Sequence, residues 1–358
     1  MVRNDIAEWL QNTTYNDFHG YIAERVVGQE QLADFTLLVY CYLRSVAYLQ
    51  PVSYNTILAV PSGSSKTETY RALRDYFKSE IPRLNVSIYD TTKITATGFK
   101  GADVTDILAP YFHRLESRAI GICFLDEFDK KMQPSYSAQG TDVNLETQND
   151  LLTLIEGSDI HNKEGFVVNT EEMMFVAMGS FGQYRKKRTA MKKEPIGIFS
   201  HDEVTIIKAN SEKTRDIYTP LTREDIISVG GSNELIGRFP YLINYNRLES
   251  EAIRRIIDLT RKSVAVGLDC ELSLGEPIIK DLAAAANTEF GCRLIDSQLR
   301  NVVLRALRLA LNNEIPDKKL VIHVESEDEM RYSWRDVSEA DIDDCMIASI
   351  PYEYDCSL

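Results

Sequence analysis

The sequence predicts an α/β domain on a mostly parallel sheet, followed by a smaller, mainly helical domain. Three observations carry this. First, short apolar runs at residues 56–60, 84–89, 122–126, 173–178 and 241–244 alternate with amphipathic stretches. That is the pattern of strands covered on both faces by crossover helices. Second, Ile57-Leu58-Ala59-Val60 feeds a loop of small residues ending in Lys66-Thr67, and a helical pattern follows at once. Third, the period changes after residue 246: stretches 248–266, 277–288 and 294–312 read as long helices, and 319–324 as one strand. The expected division is a short extension at 1–22, a large α/β domain at 23–246 and a small helical domain at 247–358.

Each element has its own signal. After the small-residue loop, residues 68–77 place Leu73 and Phe77 four apart, on one helical face. Residues 104–115 read as a second helix. Residues 146–156 read as a third, through the stripe Leu151-Leu152-x-Leu154-Ile155. The segment 182–223 has no clean period and carries Arg185-Lys186-Lys187-Arg188 and Lys192-Lys193. It reads as an extended insertion, its cations either solvated or a docking patch for an acidic partner.

The loop Pro61-Ser62-Gly63-Ser64-Ser65-Lys66-Thr67-Glu68 lies between a strand and a helix, the setting of a phosphate-binding P-loop. Backbone N–H groups there cradle α- and β-phosphates, Lys66 reaches toward β and γ, and the Thr67 hydroxyl suits Mg²⁺. A second signal lies at Gly121-Ile122-Cys123-Phe124-Leu125-Asp126-Glu127. Asp126 at the end of a buried strand suits the Mg²⁺ shell, and Glu127 suits polarising the attacking water. The chain departs from the G-x-x-x-x-G-K-[ST] pattern: Val60 and Ser65 stand in the two glycine places. A Cβ at position 65 is expected to cost on the order of 1–3 kcal/mol where the backbone is strained.

Composition excludes several classes. A formal net charge of −14 over 358 residues opposes duplex nucleic acid, whose phosphates need a basic face. There is no bilayer-length apolar run and no secretory leader pattern. Six cysteines are scattered without a CxxC pair, and five histidines without metal-ligand spacing. A cytoplasmic protein is expected.

With these parts in order, the chain resembles the AAA+ unfoldases of the ClpX/HslU group, over residues 23–348. Glu24-Arg25-Val26-Val27-Gly28-Gln29 is similar to the motif whose apolar pair, here Val26 and Val27, packs on adenine. Gly98-Phe99-Lys100-Gly101 resembles the pore loop that grips substrate, with Lys100 in place of an aliphatic residue. Residues 149–157 fit the helix after a second pore loop, and Met178-Gly179-Ser180 resembles the sensor-1 strand end. Gly237-Arg238-Phe239 resembles the arginine-finger box, and Gly291-Cys292-Arg293 stands at sensor 2.

The resemblance implies ATP and Mg²⁺ as cofactors, protein substrates, and a homo-oligomeric ring, a hexamer. In it Arg238 reaches a neighbour's nucleotide and Arg293 reports nucleotide state. No zinc-binding N-terminal domain of the ClpX type is expected, and no large inserted domain of the HslU type after Gly157. Pro195-Ile196-Gly197-Ile198-Phe199 falls where ClpX has its loop for a peptidase ring, or is a plain apolar turn. The expected function is an ATP-driven unfoldase. The alternative is a nucleotide-binding switch or scaffold with weak or no hydrolysis. Neither a membrane nor nucleic acid is an expected partner.

Overall fold

The computed structural model describes residues 2–49, 52–61, 63, 65–94, 103–112, 118–182, 219–286, 291–310, 318–326 and 328–336. The chain divides into two compact units, Met1–Arg247 and Leu248–Leu358.

The first unit opens with α1 (Val2–Asn12), α2 (Tyr15–Arg25) and α3 (Leu32–Ala47), then β1 (Thr56–Ala59) and α4 (Lys66–Glu80). Next come β2 (Asn85–Asp90), β3 (Gly121–Asp126), α5 (Val143–Ile155) and a hairpin of β4 (Asp159–His161) and β5 (Val167–Asn169). β6 (Met173–Gly179), the short helices α6 (Arg223–Ile227) and α7 (Asn233–Gly237), and β7 (Tyr241–Asn244) complete it. The main sheet has five strands in the order β2-β3-β6-β1-β7, with every pairing parallel. β1, which leads into the P-loop, is therefore internal, between β6 and β7.

Side chains alternate across each strand, so the sheet feeds two cores. Leu58, Ile122, Phe124, Val176 and Met178 face the core covered by α1–α4. Ile57, Ala59, Cys123, Leu125, Phe175 and Ala177 face the other, with α5, α6 and α7. This three-layer packing holds the C-terminal ends of β1, β3 and β6 side by side, where ligands of open α/β sheets bind.

The first 22 residues do more than extend the chain. Trp9 and Phe18 stack edge-on at 5.7 Å, and both meet Phe77 of α4, at 5.8 and 5.5 Å. The Trp9 indole N–H donates to the Tyr76 hydroxyl at 3.2 Å. α1 and α2 thereby back the helix that starts at the P-loop. The stretch 104–115 departs from the helix expected of it. Among the described residues of that stretch, a 3₁₀ segment, Val104–Leu108, forms behind a capping box at Asp103. Pro110 accounts for the stop, because it lacks the N–H that an α-helix interior needs.

The second unit contains α8 (Ser250–Gly267), β8 (Cys270–Leu274), α9 (Glu276–Ala286), α10 (Arg293–Ala310), β9 (Lys318–Val324) and β10 (Met330–Asp336). Its sheet runs β10-β9-β8, so two strands join the one expected at 319–324. Ile295, Leu299, Val302, Val303 and Ala306 of α10 line one stripe and pack with Ile257, Leu282 and Ile322. Among the described residues, no helix is long and apolar enough to cross a membrane.

Candidate functional site

The site begins where β1 ends. Val60 and Pro61 are buried, and the Val60 N–H donates to the Gly179 carbonyl at 2.9 Å. Val60 is a core residue without positive φ, so the first missing glycine has no conformational consequence. The second has one. Gly63 sits at φ 77°, and Ser65, the residue before α4, at φ 72° and ψ 18°. A serine thus holds the left-handed conformation that glycine adopts freely.

What keeps it there is the start of α4. The Ser65 carbonyl accepts the Thr69 backbone N–H and its hydroxyl, both at 2.9 Å. Thr69 Oγ1 lies 3.1 Å from the hydroxyl of the buried Tyr245, whose N–H donates to the Ala59 carbonyl at 3.0 Å. Both ends of the loop are therefore anchored on the chain just past β7. Thr67 is half-buried in the first turn of α4. Ser62 and Ser64 lie outside the described residues.

Lys66 is the centre of the site. Its side chain is only 8% exposed, and its Nζ lies 2.6 Å from Asp126 Oδ1 and 2.9 Å from Glu127 Oε1. Burial pulls the ammonium down, but these two carboxylates outweigh it and hold Lys66 above its usual range. The cation expected at phosphates and the two acids expected at Mg²⁺ and water are thus brought together. Glu127 is itself left-handed, at φ 53°, and its N–H donates to Asp126 Oδ1 at 2.8 Å. Thr91 donates to the Asp126 carbonyl at 2.8 Å and ties the end of β3 to the turn after β2.

Other expected site residues are placed differently. Glu68 accepts from Arg25 Nε and Nη2, at 3.0 and 2.7 Å, while Arg25 Nη1 reaches Asp75 at 2.8 Å. Glu68 thereby ties α2 to α4. Val26 is buried in the α1–α4 core; Val27 is buried as well. Between that motif and the end of the unit, Gln29 clamps Asn246, donating to its carbonyl at 3.1 Å and accepting its N–H at 3.0 Å.

Arg238 caps α7, is 52% exposed and pairs with Glu156. Arg293 opens α10 in the second unit and is exposed. Phe99, Lys100, the basic run at 185–193 and the loop carrying Ile196 and Phe199 all lie outside the described residues.

One group escaped the sequence reading. Asp129, three residues past Asp126, is 3% exposed and accepts from Ser180 Oγ at 3.2 Å and the Phe181 N–H at 3.0 Å. Its signal was the third acid in Asp126-Glu127-Phe128-Asp129, which reads equally well as a polar strand end.

An internal β1 leading into a left-handed loop and a buried lysine, beside an acidic end of β3, defines a P-loop nucleotide-binding protein. A family model described as AAA domain (Cdc48 subfamily) matches residues 52–242, more than half of the chain, and the chain belongs to that family. It is 29% identical over 270 residues to the ATP-dependent Clp protease ATP-binding subunit ClpX of Treponema denticola. That match covers 68% of this chain and 62% of the relative, less than two thirds of that protein's length. It is 24% identical over 334 residues to ClpX 2 of Wolinella succinogenes, covering 85% of this chain and 78% of the relative. Within its family, the chain is ClpX-like, of the Clp/Hsp100 group.

Proposed function

We propose that this chain is an ATP-dependent protein unfoldase or remodelling ATPase that acts as a homo-oligomeric ring, a hexamer, on protein substrates. The observation that carries the ATPase reading is Lys66 held between Asp126 and Glu127 at the head of α4. The unfolding part draws on the ClpX relatives, which are named as ATP-binding subunits of a protease.

The residues fit Mg²⁺ with ATP. A hydroxyl and a carboxylate are hard oxygen donors of the kind Mg²⁺ takes, so Thr67 and Asp126 would hold it. Bound there, Mg²⁺ would neutralise charge on the β- and γ-phosphates. The chain's own residues do the rest. Lys66 balances both acids. When phosphate oxygens take the ammonium, Glu127 Oε1 loses its cation and is free to accept a proton from water. One contact thus both guards the base and releases it.

Arg238 is assigned to the neighbouring subunit's nucleotide, where a guanidinium steadies the charge that gathers during transfer. Leaving Glu156 costs it little, because an exposed pair of this kind is worth about 0–1 kcal/mol. Arg293 is assigned to nucleotide sensing from the second unit, Phe99 to substrate gripping in the ring pore, and the loop carrying Ile196 and Phe199 to a partner peptidase.

The test is ATP turnover by the full chain with an unfolded protein, with duplex DNA and with neither. Stimulation by the unfolded protein alone supports the reading. ATP binding without turnover would leave a switch or scaffold. Arg238→Ala is expected to bind ATP normally and to lose about 10³–10⁵ in kcat. Wild-type specific activity should also rise with protein concentration as rings form; concentration-independent turnover contradicts the finger in trans.

A further inference from the structure

We propose that Asp129 is a positioning residue for hydrolysis, a buried carboxylate that fastens the turn carrying Ser180 to the turn carrying Glu127. This rests on the ATPase reading and adds a residue to it.

Two hydrogen bonds converge on this carboxylate. Its Oδ2 accepts the Ser180 hydroxyl and the Phe181 N–H, at 3.2 and 3.0 Å. Asp129 belongs to the short 3₁₀ turn Phe128–Lys131, whose N-terminal cap is Glu127. The turn after β6 is equally constrained, since Phe181 is fully buried at φ 49°. Such a conformation persists only where neighbouring bonds impose it. A carboxylate gripping the Phe181 N–H is one such bond.

The strand end is shaped to admit the acid. A Cβ on Gly179 would come within 2.7 Å of Asp129 Oδ1, so a glycine at that position lets the carboxylate lie against the end of β6. The same Gly179 accepts the Val60 N–H at the mouth of the P-loop. Asp129 therefore braces the ends of β3 and β6 at the point where β1 delivers its loop.

Packing alone does not call for an acid here. Burial pushes the Asp129 carboxyl up, and an apolar residue would fill the space without that desolvation cost. What an acid adds is direction. A hydroxyl that donates to Asp129 turns its lone pairs toward the site, so Ser180 acts there as an acceptor. With Glu127 taking one proton of the attacking water, an acceptor at Ser180 can hold the other. The water's lone pair is then fixed on the phosphate.

The experiment measures kcat, KM and ATP affinity by calorimetry for the full wild-type chain, Asp129→Ala, Ser180→Ala and the double variant. Alanine takes away the oxygen that accepts both the Ser180 hydroxyl and the Phe181 N–H, so the Ser180 hydroxyl is no longer aimed. We expect Asp129→Ala to lower kcat about tenfold or more while ATP affinity stays within about twofold. The double variant should lose no more than the worse single one, because both changes break the same link. Unchanged kcat in Asp129→Ala overturns the proposal, as do additive losses or a parallel loss of affinity and kcat. Should Asp129→Ala not fold, Ser180→Ala decides: a kcat loss at constant affinity supports the link, and wild-type kcat overturns it. A wild-type chain that binds but never hydrolyses ATP overturns the ATPase reading and this proposal together.

Discussion

The loop after β1 and the turn after β3 meet at Lys66, and each contains a non-glycine residue at positive φ. In the loop it is Ser65 at 72°; in the turn it is Glu127 at 53°. For an L-residue, this conformation costs on the order of 1–2 kcal/mol. At Glu127 the strain has a use in the proposed mechanism, because only a side chain can ion-pair with Lys66 and accept a proton from water. At Ser65 the structure assigns the side chain no cap bond, and the backbone conformation is the working part. Strain carried for a functional group differs from strain left by a lost glycine. Only the second is removable without loss.

The largest effect that sharpens this comparison is at the shared lysine. Lys66→Ala removes the proposed buried charge-assisted partner of phosphate, and ATP affinity should fall by about 10²-fold, roughly 3 kcal/mol, in a calorimetric titration. Affinity within a factor of two of wild type would detach the loop from nucleotide binding. Next comes the turn. Glu127→Gly and Glu127→Ala both lose the ion pair to Lys66, so their difference isolates backbone strain. The glycine variant should be the more stable by about 0.5–1 kcal/mol in urea unfolding, while neither hydrolyses ATP. An alanine variant at least as stable would mean that the turn stores no strain.

The smallest effect is at the loop. Ser65→Gly relieves the left-handed strain but adds freedom to the unfolded chain, leaving a net gain of roughly 0.5 kcal/mol. Turnover should be equal to wild type or higher. Reduced ATP affinity in Ser65→Gly would give the serine side chain a role in binding.

Much of the nucleotide-binding unit was legible because its strands are short and buried on both faces. Those strands read as apolar runs, and all five fell within a residue or so of β1, β2, β3, β6 and β7. The P-loop and its acidic partners were legible through residue types at fixed spacing. Other features depend on contacts far apart in the chain. Trp9 and Phe18 find Phe77 only after folding, so the first two helices looked like an extension. β10, Met-Arg-Tyr-Ser-Trp-Arg-Asp, is a polar edge strand recognisable only once β9 pairs with it. The stretch 104–115 had a helical apolar period, yet Pro110 ended it. Asp129 was visible as an acid, but its bonds to Ser180 and Phe181 span about fifty residues of sequence. Ser65 and Glu127 were named from motif position, whereas their left-handed backbones are properties of the folded turn.

The central claim is that a loop lacking two of its pattern glycines still serves a working ATP site. The most direct measurement is ATP binding and single-turnover hydrolysis by the wild-type chain beside Glu127→Gln. We expect the wild type to bind and hydrolyse ATP. Glu127→Gln should bind with similar affinity and lose about 10²–10⁴ in rate, since glutamine cannot accept the proton. A wild-type chain that binds no ATP, or a Glu127→Gln variant that hydrolyses at the wild-type rate, would contradict the account.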